Sequence, residues 1–294
     1  MKILKFFGWT LLSLFVLFLI SLITIAIFDY TTDDMEVKAL ERTIMNMKED
    51  RISIFSAYLQ KGYDSSTIEE LLVKADDADL VLLQNGEQAD SRQIESLLNS
   101  HNLYFSFSKR TPLSFSSEGK VSFMEFSGLY SLSAFRPNDV RKLLLPTDTN
   151  WFNSLLSPTP SLQILEFQNG STELFIINLD NEMNDQMESK EINRSRLSYI
   201  KESIITALPK DAHVVIAGNW QNILPGQSLG MENVDAAEIP LEWTKNGWQW
   251  VYDPDDSSGY GMLLSDNLQI EEMAFIDHPS ENSPKGLKLL LSLK

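Results

Sequence analysis

A run of 23 residues without a charge, Phe6 to Phe28, constrains this 294-residue chain more than any other feature of its sequence. The run is rich in Leu, Ile and Phe, and at ~1.5 Å per residue a helix of that length crosses a ~30 Å hydrocarbon core. It reads as a membrane-spanning helix. A cleavable secretory signal has a shorter apolar region, ~7–15 residues, followed by a small-x-small site. Here the run ends in Ala26-Ile27-Phe28-Asp29-Tyr30, so the helix is expected to remain as an anchor. Lys2 and Lys5 on its short amino-terminal side are expected to keep that end in the cytoplasm, with the main domain outside.

The formal net charge is −17, from 24 basic and 41 acidic residues, and two of the basic ones precede the span. A field of that sign repels phosphate backbones, which makes nucleic acid a poor partner. It suits a basic protein or peptide. The chain has no cysteine, so the exported part neither uses disulfides nor risks misoxidation. No Gly/Ser-rich or Pro-rich linker interrupts the sequence after the anchor. The expected division is an anchor over residues 1–30, a juxtamembrane stalk over 31–50, helical in part between Met35 and Met47, and one large domain over 51–294.

Within that domain the pattern alternates between strand and helix. Ile52 to Tyr58 alternates like a strand, and Ser66 to Ala75 has helical spacing with Ser65 or Ser66 as cap. Asp79 to Gln84 is a short apolar run of the kind found in a strand covered on both faces. A helix over Ser91 to Ser100 and a strand over Leu103 to Phe107 follow. Val121 to Phe126 and Tyr130 to Ala134 are candidates to pair, and Pro137 to Pro160 reads as irregular structure anchored by Trp151 and Phe152. Leu162 to Gln168, Asn169-Gly170 and Glu173 to Asn178 make a strand, turn and strand, a strong hairpin signal. Asn193 to Leu208 is an amphipathic helix. Four more strands are expected at Val214–Ala217, Gly259–Ser265, Leu268–Phe275 and Leu287–Leu293.

Standard chemical motifs are sparse. His101, His213 and His278 lack metal-ligand spacing. No GxSxG elbow, phosphate-binding P-loop or GxGxxG turn occurs. The run Asp253-Pro254-Asp255-Asp256 lacks the alternating register of a calcium loop and reads as a solvated turn.

The order of several strand-end segments carries more. DLVLLQNGEQADSR (Asp79 to Arg92), FIINLDNE (Phe175 to Glu182), RSRLSYIKE (Arg194 to Glu202), VVIAGNWQ (Val214 to Gln221) and SENSP (Ser280 to Pro284) follow one another at sensible spacing. Together with GYGMLLSDNLQIEEMAFID (Gly259 to Asp277), they resemble the endonuclease/exonuclease/phosphatase superfamily from about Ile52 to Leu293. The resemblance implies an α/β fold, a four-layer αββα sandwich of two mixed sheets with outer helices. It also implies a phosphoesterase site using Mg²⁺ or Mn²⁺ at one end of the sandwich. In the superfamily an acidic residue ends the strand of the first of these segments, Asn-x-His that of the second, Gly-Asp-x-Asn that of the fourth, and Ser-Asp-His-x-Pro stands before the last strand. In this chain the slots are nearly all changed. The first-strand asparagine falls near Tyr58, the metal-binding glutamate on Asn85, and the Asn-x-His pair on Asn178 and Asp180. The Gly-Asp-x-Asn pair falls on Asn219 and Gln221, and the closing Asp-His pair on Glu281 and Asn282. An amide carries no charge, takes no proton near neutral pH and holds Mg²⁺ poorly.

Three functions are therefore in play. The first is an anchored extracytoplasmic domain of this fold that has lost catalysis and binds or scaffolds, with no cofactor expected. The second is a metal-dependent phosphoesterase with a rebuilt acidic site, Glu87, Asp180 and Glu281, acting on a small phosphoester or phospholipid headgroup. The third is a structural envelope protein. No nucleophile or cofactor-binding motif is expected in the first or the third.

Overall fold

The computed structural model describes residues 9–21, 24, 35–38, 50–59, 65–75, 77–87, 104–109, 113–115, 121–123, 127–147, 160–169, 172–181, 190–220, 247–252, 260–276 and 285–294. The chain divides into two compact units, Met1–Asp34 and Met35–Lys294. In the first, residues 9–21 form helix α1, and the hydroxyl of Thr24 donates to Ile20 O at 2.8 Å. Its apolar side chains are exposed on every side, Trp9, Leu11, Leu14, Phe15 and Phe18 among them. A helix of a water-soluble domain would instead hide one stripe. Among the described residues no helix is long and apolar enough to cross a membrane. The rest of the expected span lies outside them.

The second unit begins with strands β1 (Met35–Lys38) and β2 (Arg51–Tyr58), helix α2 (Ser65–Lys74) and strand β3 (Leu80–Glu87). Strands β4 (Tyr104–Lys109), β5 (Leu113–Phe115), β6 (Val121–Phe123), β7 (Ser127–Ser133) and β8 (Asp139–Leu144) follow. A hairpin of β9 (Ser161–Asn169) and β10 (Thr172–Asp180) leads to helix α3 (Lys190–Ser198), which continues as a π-helix over Tyr199–Ile204 and a 3₁₀ turn over Ile205–Ala207. The unit ends with β11 (His213–Asn219), β12 (Gln249–Tyr252), β13 (Tyr260–Leu264), β14 (Leu268–Ile276) and β15 (Lys285–Leu293).

The strands form a seven-stranded sheet ordered β1-β4-β7-β3-β2-β15-β14, a six-stranded sheet ordered β12-β13-β11-β10-β9-β8, and a small β5-β6 ribbon. Successive strand residues point to opposite faces, and the sequence obeys that period. Ile52 and Ile54 of β2, Leu80 and Leu82 of β3, and Leu287, Leu289 and Leu291 of β15 meet Leu174 and Ile176 of β10, Val215 and Ala217 of β11, and Met262 and Leu264 of β13 in one core between the sheets. The alternate residues face outward. Phe55, Ala57, Val81 and Leu83 pack under Ile68 and Leu71 of α2. Phe175, Ile177, Val214 and Ile216 pack under Leu197, Ile200 and Ile204. The result is helix, sheet, sheet, helix, the layering expected from the sequence.

Four local expectations need correction. The expected partly helical stalk does not hold at its start: Met35–Lys38 is a strand paired antiparallel to β4, and the compact unit begins there. Val121–Phe123 does not pair with the Tyr130 strand. It pairs with Leu113–Phe115, while β7 inserts between β3 and β4. The stretch from Pro137 contains an edge strand, β8, whose side chains are mostly exposed or half-buried. The helix over Asn193–Leu208 ends at Ala207, with Leu208 already extended, and it changes from α to π to 3₁₀ along its length. The expected helix over Ser91 to Ser100, together with Trp151, Phe152, His101, His278 and Asp253 to Asp256, lies outside the described residues.

Candidate functional site

Two parallel strand pairs fix one end of the sandwich. In the seven-stranded sheet β2 runs parallel to β3, with Tyr58 in register with Gln84. In the six-stranded sheet β10 runs parallel to β11, with Asp180 in register with Asn219. The Gln84 side-chain amide donates to Asn178 Oδ1 at 2.6 Å, so the carboxyl ends of both pairs meet across the interior. Open α/β sheets place their sites at such carboxyl ends.

Toward that end the inward positions change from apolar to polar. Along β2 the inward residues run Ile52, Ile54, Ser56; along β3 Leu80, Leu82, Gln84; along β10 Leu174, Ile176, Asn178, Asp180. Ser56, Gln84, Asn178 and Asp180 are each fully buried. Buried polar atoms must find partners or carry a desolvation penalty, and most of these do. Gln84 Nε2 also donates to Ser56 Oγ at 3.0 Å. Asn178 Nδ2 donates to Tyr130 O at 3.0 Å and lies 3.3 Å from Ser131 Oγ, which itself donates to Gln163 Oε1 at 2.5 Å. One chain of amides and hydroxyls thus crosses from β2 and β3 through β10 to β7 and β9. Gln84 Oε1, Ser161 Oγ and Tyr260 Oη are buried at this end without a hydrogen-bond partner. Tyr260 approaches Ser56, but burial dominates and pushes its hydroxyl well above the usual phenol range, so it stays neutral.

The slot residues among those described take the following places. Asn85, where a metal-binding glutamate was expected, has a left-handed backbone at φ 58° and sits within the register shift between Leu83 and Gly86. Its Nδ2 donates to Leu59 O at 2.9 Å. Asparagine tolerates this backbone better than most residues because its short amide bonds locally. The side chain thereby closes off the end of β2. Gly86, next along, has no room for a side chain, since a Cβ there would lie 2.4 Å from the Tyr130 ring. Asn178 uses its oxygen and its nitrogen within the interior network. Asp180 is fully buried at the end of β10, and Asn219 ends β11 in register with Tyr260 as well as Asp180. Tyr58 is half-buried and packs on the inter-sheet core. Glu87 pairs through its backbone with Ser127, and Gln221, Glu281 and Asn282 lie outside the described residues.

The carboxyl end of β11 is held from its outer side. A Cβ on Gly218, whose φ is 152°, would sit 1.9 Å from Leu179 O, so only glycine permits the β10–β11 approach at this point. Trp220 is buried in the outer core and donates Nε1–H to Gly261 O at 3.2 Å. Arg196 of α3 is fully buried: its Nε donates to Pro146 O at 2.7 Å and its Nη1 to Asn181 Oδ1 at 2.9 Å, which ties the helix to the end of β10.

A divalent ion prefers several anionic oxygens around it. Among the described residues no group of three His, Asp or Glu side chains has that arrangement. Asn85 points its amide nitrogen at a carbonyl, and Asn178 has both ends engaged, so these residues do not fit such an ion. The residues expected from the sequence do not include Ser56, Gln84, Ser131, Gln163 and Tyr260, which line this end of the interior. The available signal was a polar residue at an inward position closing an otherwise apolar strand.

No family model matches the chain, and no curated protein matches it. Solved structures do. An endonuclease/exonuclease/phosphatase from Beutenbergia cavernae has a TM-score of 0.61 at 12% identity, covering 83% of this chain and 72% of its own. The catalytic domain of human Nocturnin, solved with a sulfate anion, has a TM-score of 0.58 at 10% identity, covering 86% and 97%. ANGEL2, a 2′,3′-cyclic phosphatase solved with adenosine-2′,3′-vanadate, has a TM-score of 0.56 at 14% identity, covering 87% and 100%.

Proposed function

We propose that this chain, which has the endonuclease/exonuclease/phosphatase fold, is a membrane-anchored extracytoplasmic domain in which the phosphoesterase site is retired and binding is the function. The observation that carries the reading is Asn85. A residue expected to offer a carboxylate to a metal has instead a left-handed backbone and donates its amide to Leu59 O. A neighbouring acid can replace one lost carboxylate, but here Asn219 is uncharged as well and Asn178 is committed to the interior network. The anchoring part of the proposal is supported by the uncharged run Phe6 to Phe28 and by the exposure of apolar side chains on every side of α1.

Calorimetric titration of the purified full chain with Mn²⁺ or Mg²⁺ tests this without any guess about substrate. No saturable binding up to about millimolar metal, from a protein that melts cooperatively, is the expected result. One-site binding that disappears in Glu281→Gln or Asp180→Asn would overturn it in favour of the rebuilt acidic site, and metal-dependent turnover of a phosphoester would then be sought.

A further inference from the structure

Met35 enters the seven-stranded sheet at the end that carries the altered slots. It pairs with Ser108, and Ser108 with Leu129, which lies between the two β7 residues opposite Leu83 and Gly86. The row continues through Gln84 to Tyr58. β1 and β14 are the two edges of this sheet, and β8 and β12 those of the six-stranded one. Among the described residues of this unit five large hydrophobic side chains are exposed, and four of them stand toward that same end, on the three edges other than β1. Leu144 of β8, 42% exposed, shares a row with Ser161 and Asp180. Tyr252 of β12, 43% exposed, shares one with Gly261 and Gly218, one step from Asn219. On β14, Phe275 is 38% exposed in the row of Leu287 and Ser56, and Met273, 52% exposed, lies two residues behind it. The fifth, Val73, is on α2 and lies apart from this rim.

We propose that this end of the domain rests on the surface of a zwitterionic lipid bilayer, its apolar rim in the headgroup layer, a proposal that rests on the anchored reading above. Two independent constraints meet there. The first is reach. Six residues, Asp29 to Asp34, join the uncharged run to Met35, and fully extended they span at most about 20–25 Å. Turning the opposite end to the bilayer would lift Met35 by the length of β2, about 26 Å at ~3.3 Å per residue, which the tether does not reach. The second is the rim. Single apolar residues scattered over a surface need no explanation, but a set gathered at one end marks a contact. Tyrosine and apolar side chains gain from the headgroup layer, where one part of a ring meets lipid and another meets water. Charge selects the lipid, since a chain carrying −17 is repelled by an anionic surface and not by a zwitterionic one.

The chain has no cysteine, so a single introduced one carries the only label. The test places a donor dye on Leu144→Cys at the rim, or on Asp266→Cys, which is exposed at the opposite end beside the Leu268–Leu293 pair. The full chain is held in phosphatidylcholine nanodiscs whose headgroups carry the acceptor. Energy transfer is expected to be at least about twofold greater from position 144 than from 266, because about one strand length separates the two ends. Tyr252→Ser, Met273→Ser and Phe275→Ser together, with about 20 Gly/Ser residues inserted after Asp34, are expected to bring the two transfers together while melting stays cooperative. Equal transfer from the otherwise unchanged chain, or more from 266, would overturn the proposal, as would a difference that the combined variant leaves intact. Equal transfer beside a dimer that the three substitutions dissolve would give the rim to a second copy. A chain that does not float with phosphatidylcholine vesicles removes the anchored reading and this proposal with it. Equal transfer from a chain that floats and binds no metal removes this proposal alone.

Discussion

Asn85 holds a backbone conformation that most side chains resist, and it does so while its amide bonds Leu59 O. Two terms therefore act against replacement. Alanine would lose the hydrogen bond, worth about 1 kcal/mol, and would meet a left-handed penalty of roughly another 1 kcal/mol. Glycine loses the bond but enters the left-handed region freely. Asn85→Gly is accordingly expected to be the milder change, by about 1 kcal/mol in urea unfolding followed by tryptophan emission. In an ordinary strand glycine is the worse of the two, so a larger loss in Asn85→Gly than in Asn85→Ala would mean that the left-handed geometry is not what the asparagine supplies.

The strands that face the core illustrate which elements a sequence announces. The interior of β10 is a run of apolar residues ending in Asn178, and β10 pairs with β9 through to Thr172 opposite Asn169, the close antiparallel pairing that the hairpin signal in the sequence announces. β11 alternates between two cores, so nearly every residue of its apolar run is selected for burial. Edge strands have no such pressure. β1 reads Met-Glu-Val-Lys and β8 reads Asp-Val-Arg-Lys-Leu-Leu, and each is held by backbone bonds to a partner far along the chain, which local propensity does not encode. The site divides the same way. Its slots are visible as strand-end positions in sequence, but the network that fills its base joins residues from five strands, and only the packed sandwich brings them together. That network also makes a prediction. Asn178→Leu keeps the number and branching of the side-chain heavy atoms but strips Gln84 Nε2, Tyr130 O and Ser131 Oγ of a partner where water does not reach. A loss of about 2–4 kcal/mol is expected in chemical unfolding, with little change in the far-ultraviolet spectrum of the native state. A loss under about 0.5 kcal/mol would mean that the amide chain contributes no more than an apolar filling would.

Taken as one charged body, the protein is set against itself at neutral pH. With 41 acidic and 24 basic residues, compaction brings like charges together, and this repulsion eases as carboxylates take up protons. Asp79 acts in the same direction for a local reason. Burial raises its carboxyl above the ordinary range, aided by the charge of Asp77, while the Ser53 amide that donates to its Oδ2 at 2.8 Å only partly offsets this. A carboxyl with a raised folded pKa contributes stability that is complete below the unfolded value and is lost as pH rises through the folded one. Asp77 acts in the opposite sense, because the hydrogen bond from Lys288 lowers its pKa, but its side chain is 76% exposed and the pair is screened by solvent. The net expectation is a melting temperature that is higher near about pH 4.5, where carboxylates begin to take up protons, than near about pH 7.5. Salt separates the two causes, since about 0.5 M salt screens exposed charges over distances beyond a few ångströms but leaves a partly buried group largely unaffected. The part of the pH effect that survives in salt is assigned to Asp79. In Asp79→Asn the amide oxygen still accepts from Ser53 while the penalised charge is gone, so the variant should match or exceed the native chain in stability at neutral pH and should lose that surviving part. A variant less stable at neutral pH, with the gap closing in acid, would reverse the assignment and mean that the Ser53 hydrogen bond outweighs burial at this carboxylate.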